Sequence, residues 1–243
     1  MKIDYVILGS DMNPMYYDFW PIVSKIWKTV YNTIPVLGLI CDEDSDFIED
    51  EYGLIKKFKK VDGIDVGLQS QVIRLYLTNL LNGNLLISDI DMIPMSTKYF
   101  VDYVKTFDNN RLYVMSSDNQ ECLNNREYPM CYNLGSDKLF KDILDLGPNW
   151  VDFLKKLNDL NLGWTTDQNY LFNKINEYKE LNPDNVIFLQ RGWTSRGANR
   201  RIDRLWWSYD EELVKNGYYI DCHSLRPYND HKEEINRLIS LIV

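Results

Sequence analysis

The sequence predicts an α/β fold, a mainly parallel sheet covered by helices on both faces. The first observation is a set of short strands without polar alternation: Tyr5 to Leu8 (YVIL), Pro35 to Ile40 (PVLGLI) and Leu85 to Ile87 (LLI). Unbroken apolar runs of that length suit strands buried on both sides. The second is that stretches of helical spacing lie between them, and strand–helix alternation is the pattern of a parallel sheet. The third is that polar residues collect just after the strands, at Ser10, Asp11, Asp42, Asp89 and Asp91. In such sheets ligands bind beyond the carboxyl ends of the strands.

Taken in order, Tyr5–Leu8 opens the sheet and Gly9-Ser10-Asp11 is expected to turn out of it. Neither Gly-x-Gly-x-x-Gly nor Gly-Lys-Ser/Thr follows, so dinucleotide and P-loop fingerprints are missing. Tyr17 to Tyr31 spaces Phe19, Ile22, Val23, Ile26, Trp27 and Val30 as a helix, with Pro21 tolerated in its first turn. After the second strand comes the acidic loop Cys41 to Asp46, and Ile55 to Phe58 is a third strand. Gln69 to Leu81 is a helix with Gln71, Arg74 and Thr78 on one side, stopped by Asn82-Gly83-Asn84. Further on, a helix is expected over Lys98–Phe107, strands over Leu112–Met115 and Tyr128–Asn133, and a turn at Leu134-Gly135-Ser136. Helices over Trp150–Leu160 and after Gly163–Gln168 follow, the second N-capped by Thr166 or Asp167. Strands over Val186–Gln190 and Tyr218–Cys222 bracket a basic, aromatic stretch from Arg191 to Tyr209, and Lys232–Val243 is an amphipathic helix.

Composition narrows the function classes. The net charge of −9 lacks the basic footprint of general nucleic-acid binding. Cys41, Cys122, Cys131 and Cys222 form no Cys-x-x-Cys pair, and two histidines are too few for a zinc cluster. Free thiols and an N-terminal apolar run too short for a signal peptide or a span point to a cytoplasmic chain without a transmembrane segment. No repeat or linker divides the 243 residues, so one domain is expected.

The stretch Leu85 to Pro94, LLISDIDMIP, carries the chemistry. In an extended chain Asp89 and Asp91 point the same way, and two like charges side by side call for a cation. A hard divalent ion with oxygen ligands fits, and it keeps positions open for a diphosphate. The alternative is that two solvated carboxylates merely end a strand.

Five features occur in order: the opening strand, a helix bearing Arg74, Asp89-Ile90-Asp91, Cys131-Tyr132-Asn133-Leu134-Gly135 with Asp167-Gln168, and His223 before Arg226-Pro227. From Tyr5 to Pro227 the chain resembles the GT-A glycosyltransferases, in particular the small galactosyltransferase and glycogenin-like group. The resemblance implies a Rossmann-like, mixed and mainly parallel sheet. Its nucleotide-binding part would reach about residue 95, its acceptor part about residue 231, with residues 232–243 as a terminal helix. It implies a Mn²⁺ (or Mg²⁺) ion held by Asp89, Asp91 and His223. It places Leu8, Gly9, Ser10, Asp11, Asp42, Arg74, Ser88, Asp89, Ile90 and Arg226 around the nucleotide sugar. Asn133, Leu134, Gly135 and Trp193 would line the sugar and acceptor, and Asp167 and Gln168 would stand at the reacting centre. The expected partners are a nucleotide diphosphate sugar, of UDP type, and a glycan or other hydroxyl acceptor. The late motif departs from the group: His223-Ser224-Leu225-Arg226-Pro227 stands where His, Gly and then Lys-Pro is usual, which leaves inversion or retention open.

Two rivals remain. A sugar-1-phosphate nucleotidyltransferase would open with a glycine-rich basic loop, whereas this chain has Gly9-Ser10-Asp11-Met12-Asn13-Pro14. A non-catalytic carbohydrate-binding module has no need of Asp89, Asp91, Asp167 and His223 together. The stretch Arg191 to Arg204 has the composition of a lid over a diphosphate, of an acceptor patch, or of a solvated basic helix.

Overall fold

The computed structural model describes residues 1–42, 50–194 and 197–242. Strand β1 (Tyr5–Asp11) leads through the short helix α1 (Pro14–Tyr17) to α2 (Trp20–Thr29), then β2 (Ile34–Cys41) and β3 (Leu54–Lys59). Helix α3 (Val66–Leu77), β4 (Asn84–Ile87) and β5 (Met92–Pro94) follow. After a helical segment over residues 98–106 come β6 (Leu112–Val114), α4 (Gln120–Asn124), β7 (Asn133–Ser136), α5 (Asp137–Leu144) and α6 (Trp150–Asn158). The chain ends with α7 (Thr166–Leu181), β8 (Val186–Phe188), β9 (Arg201–Asp203), α8 (Glu211–Lys215), β10 (Asp221–His223) and α9 (Lys232–Ile239).

Seven strands form one sheet in the order β3-β2-β1-β4-β7-β6-β8. Every neighbouring pair is parallel except those of β7, which runs antiparallel to both β4 and β6. The predicted fold class is therefore the observed one. Alternate residues of β1 and β4 enter different cores. Val6, Leu8 and Leu86 pack with Trp20 and Trp27 on the α2 face. Ile7, Leu85 and Ile87 pack with the residues of α3, α5, α6 and α7 on the other.

Several boundaries move for local reasons. Gly9-Ser10-Asp11 continues β1, paired in register with Gly38, Leu39 and Ile40. The helix expected over Tyr17–Tyr31 is two helices, because the chain turns at Asp18 and Phe19 and Pro21 falls in the first turn of α2. The strand expected over Tyr128–Asn133 begins only at Asn133. Pro129 has no N–H to give a ladder, and the Asn133 side-chain amide instead donates to the Pro129 and Met130 carbonyls, each at 2.9 Å. Leu134-Gly135-Ser136 is correspondingly strand rather than turn. Helix α7 begins after Thr165, whose side chain makes no capping bond, which puts Thr166 and Asp167 inside its first turn. The acidic loop beyond Asp42 lies outside the described residues.

Helix α3 approaches the sheet where two glycines stand side by side, Gly9 of β1 opposite Gly38 of β2. A Cβ at Gly9 would lie 2.2 Å from the Ser70 carbonyl oxygen, and one at Gly38 would lie 2.7 Å from Ile73 Cγ1. The missing side chains let the helix sink onto the strands, and Arg74 descends with it.

A second sheet of three short strands, β5-β10-β9, stands beyond the carboxyl end of β4. Asp221 of β10 is wholly buried and bridges two arginines, Arg191 Nη1 at 2.9 Å and Arg201 Nε at 2.9 Å. Burial alone would raise the Asp221 carboxyl, but the two guanidiniums outweigh it and hold it well below the carboxylate range. The solvated basic helix considered for residues 191–204 is thus corrected among the described residues. Arg191 and Arg201 are interior, pulled in by a carboxylate that needs their charge.

Two predictions follow from this packing. Gly9→Ala forces helix backbone off the sheet and should cost about 1–3 kcal/mol, the usual range for overpacking, read as a lower urea midpoint with an unchanged slope. Asp221→Asn leaves two buried guanidiniums short of a counter-charge and should cost about 3–5 kcal/mol at neutral pH. Because the folded Asp221 value is depressed, its contribution is complete above an unfolded value of about 3.9 and is lost as pH falls below it. The stability gap between the two proteins, measured by urea titration at stepwise pH, should therefore narrow from about pH 4 downward.

Candidate functional site

A cavity of about 630 Å³ opens at the carboxyl ends of β1 and β4. Its walls include Gly9, Ser10 and Asp11 from β1, Gln71 and Arg74 from α3, and Asp89, Ile90 and Asp91 after β4. Gln168, Arg204, His223 and Arg226 complete it from the later chain. Ten of the residues expected from the sequence thus face one space, although they span more than 200 positions.

The strand β4 stops at Ile87, and Ser88–Asp91 turns, closed by the Met92 N–H donating to the Asp89 carbonyl at 3.2 Å. The two carboxylates are therefore not neighbours on one extended strand, as the spacing had suggested; each takes its own cations. Asp89 Oδ1 is ion-paired to Arg74 Nη1. Arg74 Nη2 reaches Asp167 Oδ2 at 2.7 Å, so one guanidinium joins the turn after β4 to the first turn of α7. Arg74 is 6% exposed and Asp167 not at all. Burial alone would lower the Arg74 value, but Asp89 and Asp167 reverse that and keep it charged. Burial raises the Asp167 carboxyl, Asp89 adds to the rise, and Arg74 only partly offsets it.

Asp91 faces the other way, toward Arg204 Nη1 at 2.8 Å, His223 Nε2 at 3.6 Å and Arg226 Nη1 at 3.6 Å. Its burial would raise the carboxyl, yet His223, Arg204 and Arg226 together hold it well below the ordinary range. The small sheet makes this cluster. His223 pairs with Met92 on one side and Asp203 on the other, and its Nδ1 lies 3.4 Å from Asp203 Oδ2. A carboxylate behind an imidazole orients the ring and leaves the other nitrogen for a ligand. Desolvation would lower the His223 value, but Asp203 and Asp91 raise it above that of a free imidazole.

Among the described residues no three His, Cys, Asp or Glu side chains gather as a preformed cation cluster. Asp91 and His223 nevertheless face each other at the cavity wall, with Asp89 in the same wall and a carboxylate behind the imidazole. A carboxylate and an imidazole are donor types that Mn²⁺ accepts, while Asp89 is turned to Arg74.

Other expected site residues lie elsewhere. Leu8 is core, and Asp42 is exposed and outside the cavity wall. Ser88 is buried, its carbonyl accepting from Arg74 Nη1 at 3.3 Å. Asn133 and Leu134 are buried within β7, and a Cβ on Gly135 would lie 2.9 Å from Leu112 Cδ1. Trp193 lies under the Arg201 guanidinium at 5.2 Å. Asp167 reaches the cavity only through Arg74, both its oxygens being engaged, by Arg74 and by the Gln168 N–H at 2.8 Å. Sequence reasoning passed over Asn13, Tyr16, Asp65 and Trp164, which also line the space. Tyr16 carries the Arg226 guanidinium 5.0 Å above its ring. The Asn13-Pro14 pair, a helix start directly after a strand, was the available signal for that wall.

No protein-family model and no curated protein matches the chain. Solved structures do match in fold. A glycosyltransferase involved in the glycosylation of the major capsid of PBCV-1 superposes at a TM-score of 0.50 with 10% identity, over 97% of this chain and 100% of that one. The apo form of the glycosyltransferase GlyE of Streptococcus pneumoniae TIGR4 superposes at 0.51 with 10% identity, covering 99% of this chain, which spans 62% of that protein. The chain has the GT-A fold of these glycosyltransferases. No helix among the described residues is long and apolar enough to cross a membrane.

The bridging arginine can be tested by a double-mutant cycle. Arg74→Met strands Asp167 as a buried unpaired charge and should cost about 3–5 kcal/mol. Adding Asp167→Leu removes that charge and should recover most of the loss, so urea midpoints should show strong coupling between the two sites.

Proposed function

We propose that this protein is a metal-dependent glycosyltransferase that takes a sugar from a nucleotide diphosphate sugar, of UDP type, and passes it to a hydroxyl of a glycan acceptor. The observation that carries the reading is the cluster around Asp91. A carboxylate, an imidazole backed by Asp203, and two arginines converge at the strand ends of a GT-A sheet. An anionic leaving group needs such surroundings, and a sugar-binding module without chemistry has no use for them.

The residues divide the cavity by chemistry. Asp11, Asn13 and Tyr16 at the end of β1 form the wall for the nucleoside, with an aromatic ring and hydrogen-bonding groups. Arg226 and Arg204 supply the positive charge for the diphosphate, and an arginine fork binds phosphate oxygens in pairs. Asp89, Asp91 and His223 would hold a divalent cation, which when bound would act as a Lewis acid toward the phosphate oxygens. Arg74 and Gln168 face the position left for the donor sugar, and Asp167 fixes Arg74 from behind.

Transfer breaks the bond between the anomeric carbon and the phosphate oxygen, and the nucleoside diphosphate leaves with the electron pair. The acceptor oxygen bonds to the anomeric carbon and gives up its proton to an oxygen of the site. Charge that develops on the leaving diphosphate is stabilised by groups already oriented toward it. Arg204 serves that purpose by trading the Asp91 carboxylate for phosphate.

Calorimetry with UDP, with and without Mn²⁺, tests the reading. Binding should be tight only with the ion, and slow hydrolysis of UDP-sugars should require it too. Asp91→Asn should lose the Mn²⁺-dependent part of UDP binding while keeping the native circular dichroism spectrum. Arg226→Ala should lower turnover by about 10²–10³, the cost of one oriented donor. UDP binding that is indifferent to Mn²⁺, or an Asp91→Asn protein that binds UDP-Mn²⁺ like the parent, would remove the proposal.

A further inference from the structure

Asp89 and Asp91 are each taken up by an arginine, but the two pairs are unlike. Arg74 is buried and shared between Asp89 and Asp167, so two elements fix it at once. The Arg204 side chain is 23% exposed, and its Nη1 lies 2.8 Å from Asp91 Oδ2. A guanidinium that open to water is held loosely and can exchange one anion for another. A buried one cannot move without stranding its carboxylates. The backbone beneath Arg204 is secured independently of the pair. Arg204 follows β9 directly, and the Asp203 carbonyl closes the turn by accepting from the N–H of Trp206 at 3.0 Å and of Trp207 at 2.8 Å. Asp203 Oδ1 accepts from the Leu205 N–H at 3.0 Å, and Arg201 is bound to the buried Asp221. The Arg204 side chain can therefore swing while its Cα stays in place.

Three groups converge on a single oxygen. Asp91 Oδ2 has Arg204 Nη1 at 2.8 Å, His223 Nε2 at 3.6 Å and Arg226 Nη1 at 3.6 Å. A divalent cation drawn to Asp91 and His223 needs that same oxygen and meets two guanidiniums beside it. Like charges so close repel, and one carboxylate does not offset both. A diphosphate reverses the balance. Its oxygens match an arginine fork in pairs, and they add negative charge where two guanidiniums and a cation must stand together. Arg204 and Arg226 line the cavity alongside Asp91, so an anion seated there meets them both.

We propose that Arg204 competes with the divalent cation for Asp91, and that a nucleoside diphosphate decides the competition by taking the guanidinium for itself. This rests on the glycosyltransferase reading above and adds an order to it: the cation enters with the nucleotide rather than before it. Ligands that compete for and release one group in this way are linked, with typical couplings of about 5–150-fold. Arg204 thereby guards Asp91 against a cation that comes without the donor, and it gives the carboxylate up as the phosphates arrive.

The test titrates Mn²⁺ into the full-length protein with and without UDP and reads the free ion by electron paramagnetic resonance, corrected for the Mn²⁺ that UDP holds in solution. The parent, Arg204→Gln and Arg226→Gln are compared. The parent should take up Mn²⁺ weakly by itself and at least about tenfold more tightly with UDP. Arg204→Gln should bind Mn²⁺ without UDP at least about fivefold more tightly than the parent, with a smaller gain from the nucleotide. Arg226→Gln removes the same charge but not the pair at 2.8 Å, and should gain less. Suppose the parent binds UDP and Mn²⁺ together, yet Arg204→Gln holds Mn²⁺ alone no better than the parent or than Arg226→Gln. The competition is then overturned and the glycosyltransferase reading stands. A parent whose Mn²⁺ affinity is indifferent to UDP, or that binds neither, overturns the underlying reading and the competition with it.

Discussion

One guanidinium sits where the structure is most constrained. Arg74 lies on a helix that covers the sheet, and it ties the turn after β4 to the start of α7 through Asp89 and Asp167. A buried arginine with a single carboxylate would be costly; with two, each placed by a different element, it becomes a fixed point. Its height above the sheet is set by Gly9 and Gly38, which let α3 come close enough for the fork to reach both acids. Packing and electrostatics are here the same constraint. The apolar contact between helix and strand determines where a positive charge stands in the cavity.

The cavity has a second centre built on a different principle. Asp91, His223 and Asp203 are brought together by three very short strands, each unstable by itself, joined across long stretches of chain. Behind them Asp221 and its two arginines hold the same strands from the inside. The basic stretch, which the sequence left open among a lid, an acceptor patch and a solvated helix, is thus partly a buried clamp. Arg204, three positions beyond Arg201, is among its described residues and lines the cavity. The described charges of this stretch thus divide between the buried Asp221 and the cavity wall.

The parallel sheet was legible because its strands are continuous apolar runs and its helices carry clear periodicity. The carboxylates, the late histidine and Arg226 were picked out by their order along the chain, which resembles that of the GT-A group, and the cavity collects them. The geometry joining them was not. Whether Asp89 and Asp91 share a face depended on a turn that starts at Ser88, and nothing in Ser-Asp-Ile-Asp distinguishes a turn from two more strand residues. Leu134-Gly135-Ser136, just after Asn133, was read as a turn because Gly and Ser favour turns. The structure uses that asparagine to hold the preceding loop, and the glycine to fit beside Leu112. Asp167 was identified, but its concealment behind Arg74 is a long-range fact, set by contacts across 93 positions. Trp164 gave no sign, since an exposed tryptophan and a core one look the same in a sequence.

The three-stranded sheet has a consequence for the order in which the molecule is made. β1, β2, β3 and β4, with α2 and α3, come from the first 87 residues and pair mostly with near neighbours in the chain. β5 waits for β10, and residues 92–94 find their partners only at 221–223. Contacts of such separation form slowly, because the intervening loop must be ordered before it is rewarded. On a ribosome the main sheet can assemble while the cluster around Asp91 is still missing its histidine and its arginines. A chain cut short before residue 223 would keep Arg204 and most of the residues of the cavity wall but lack His223 and Arg226. The cavity wall is complete only when β10 and the residues just after it are in place.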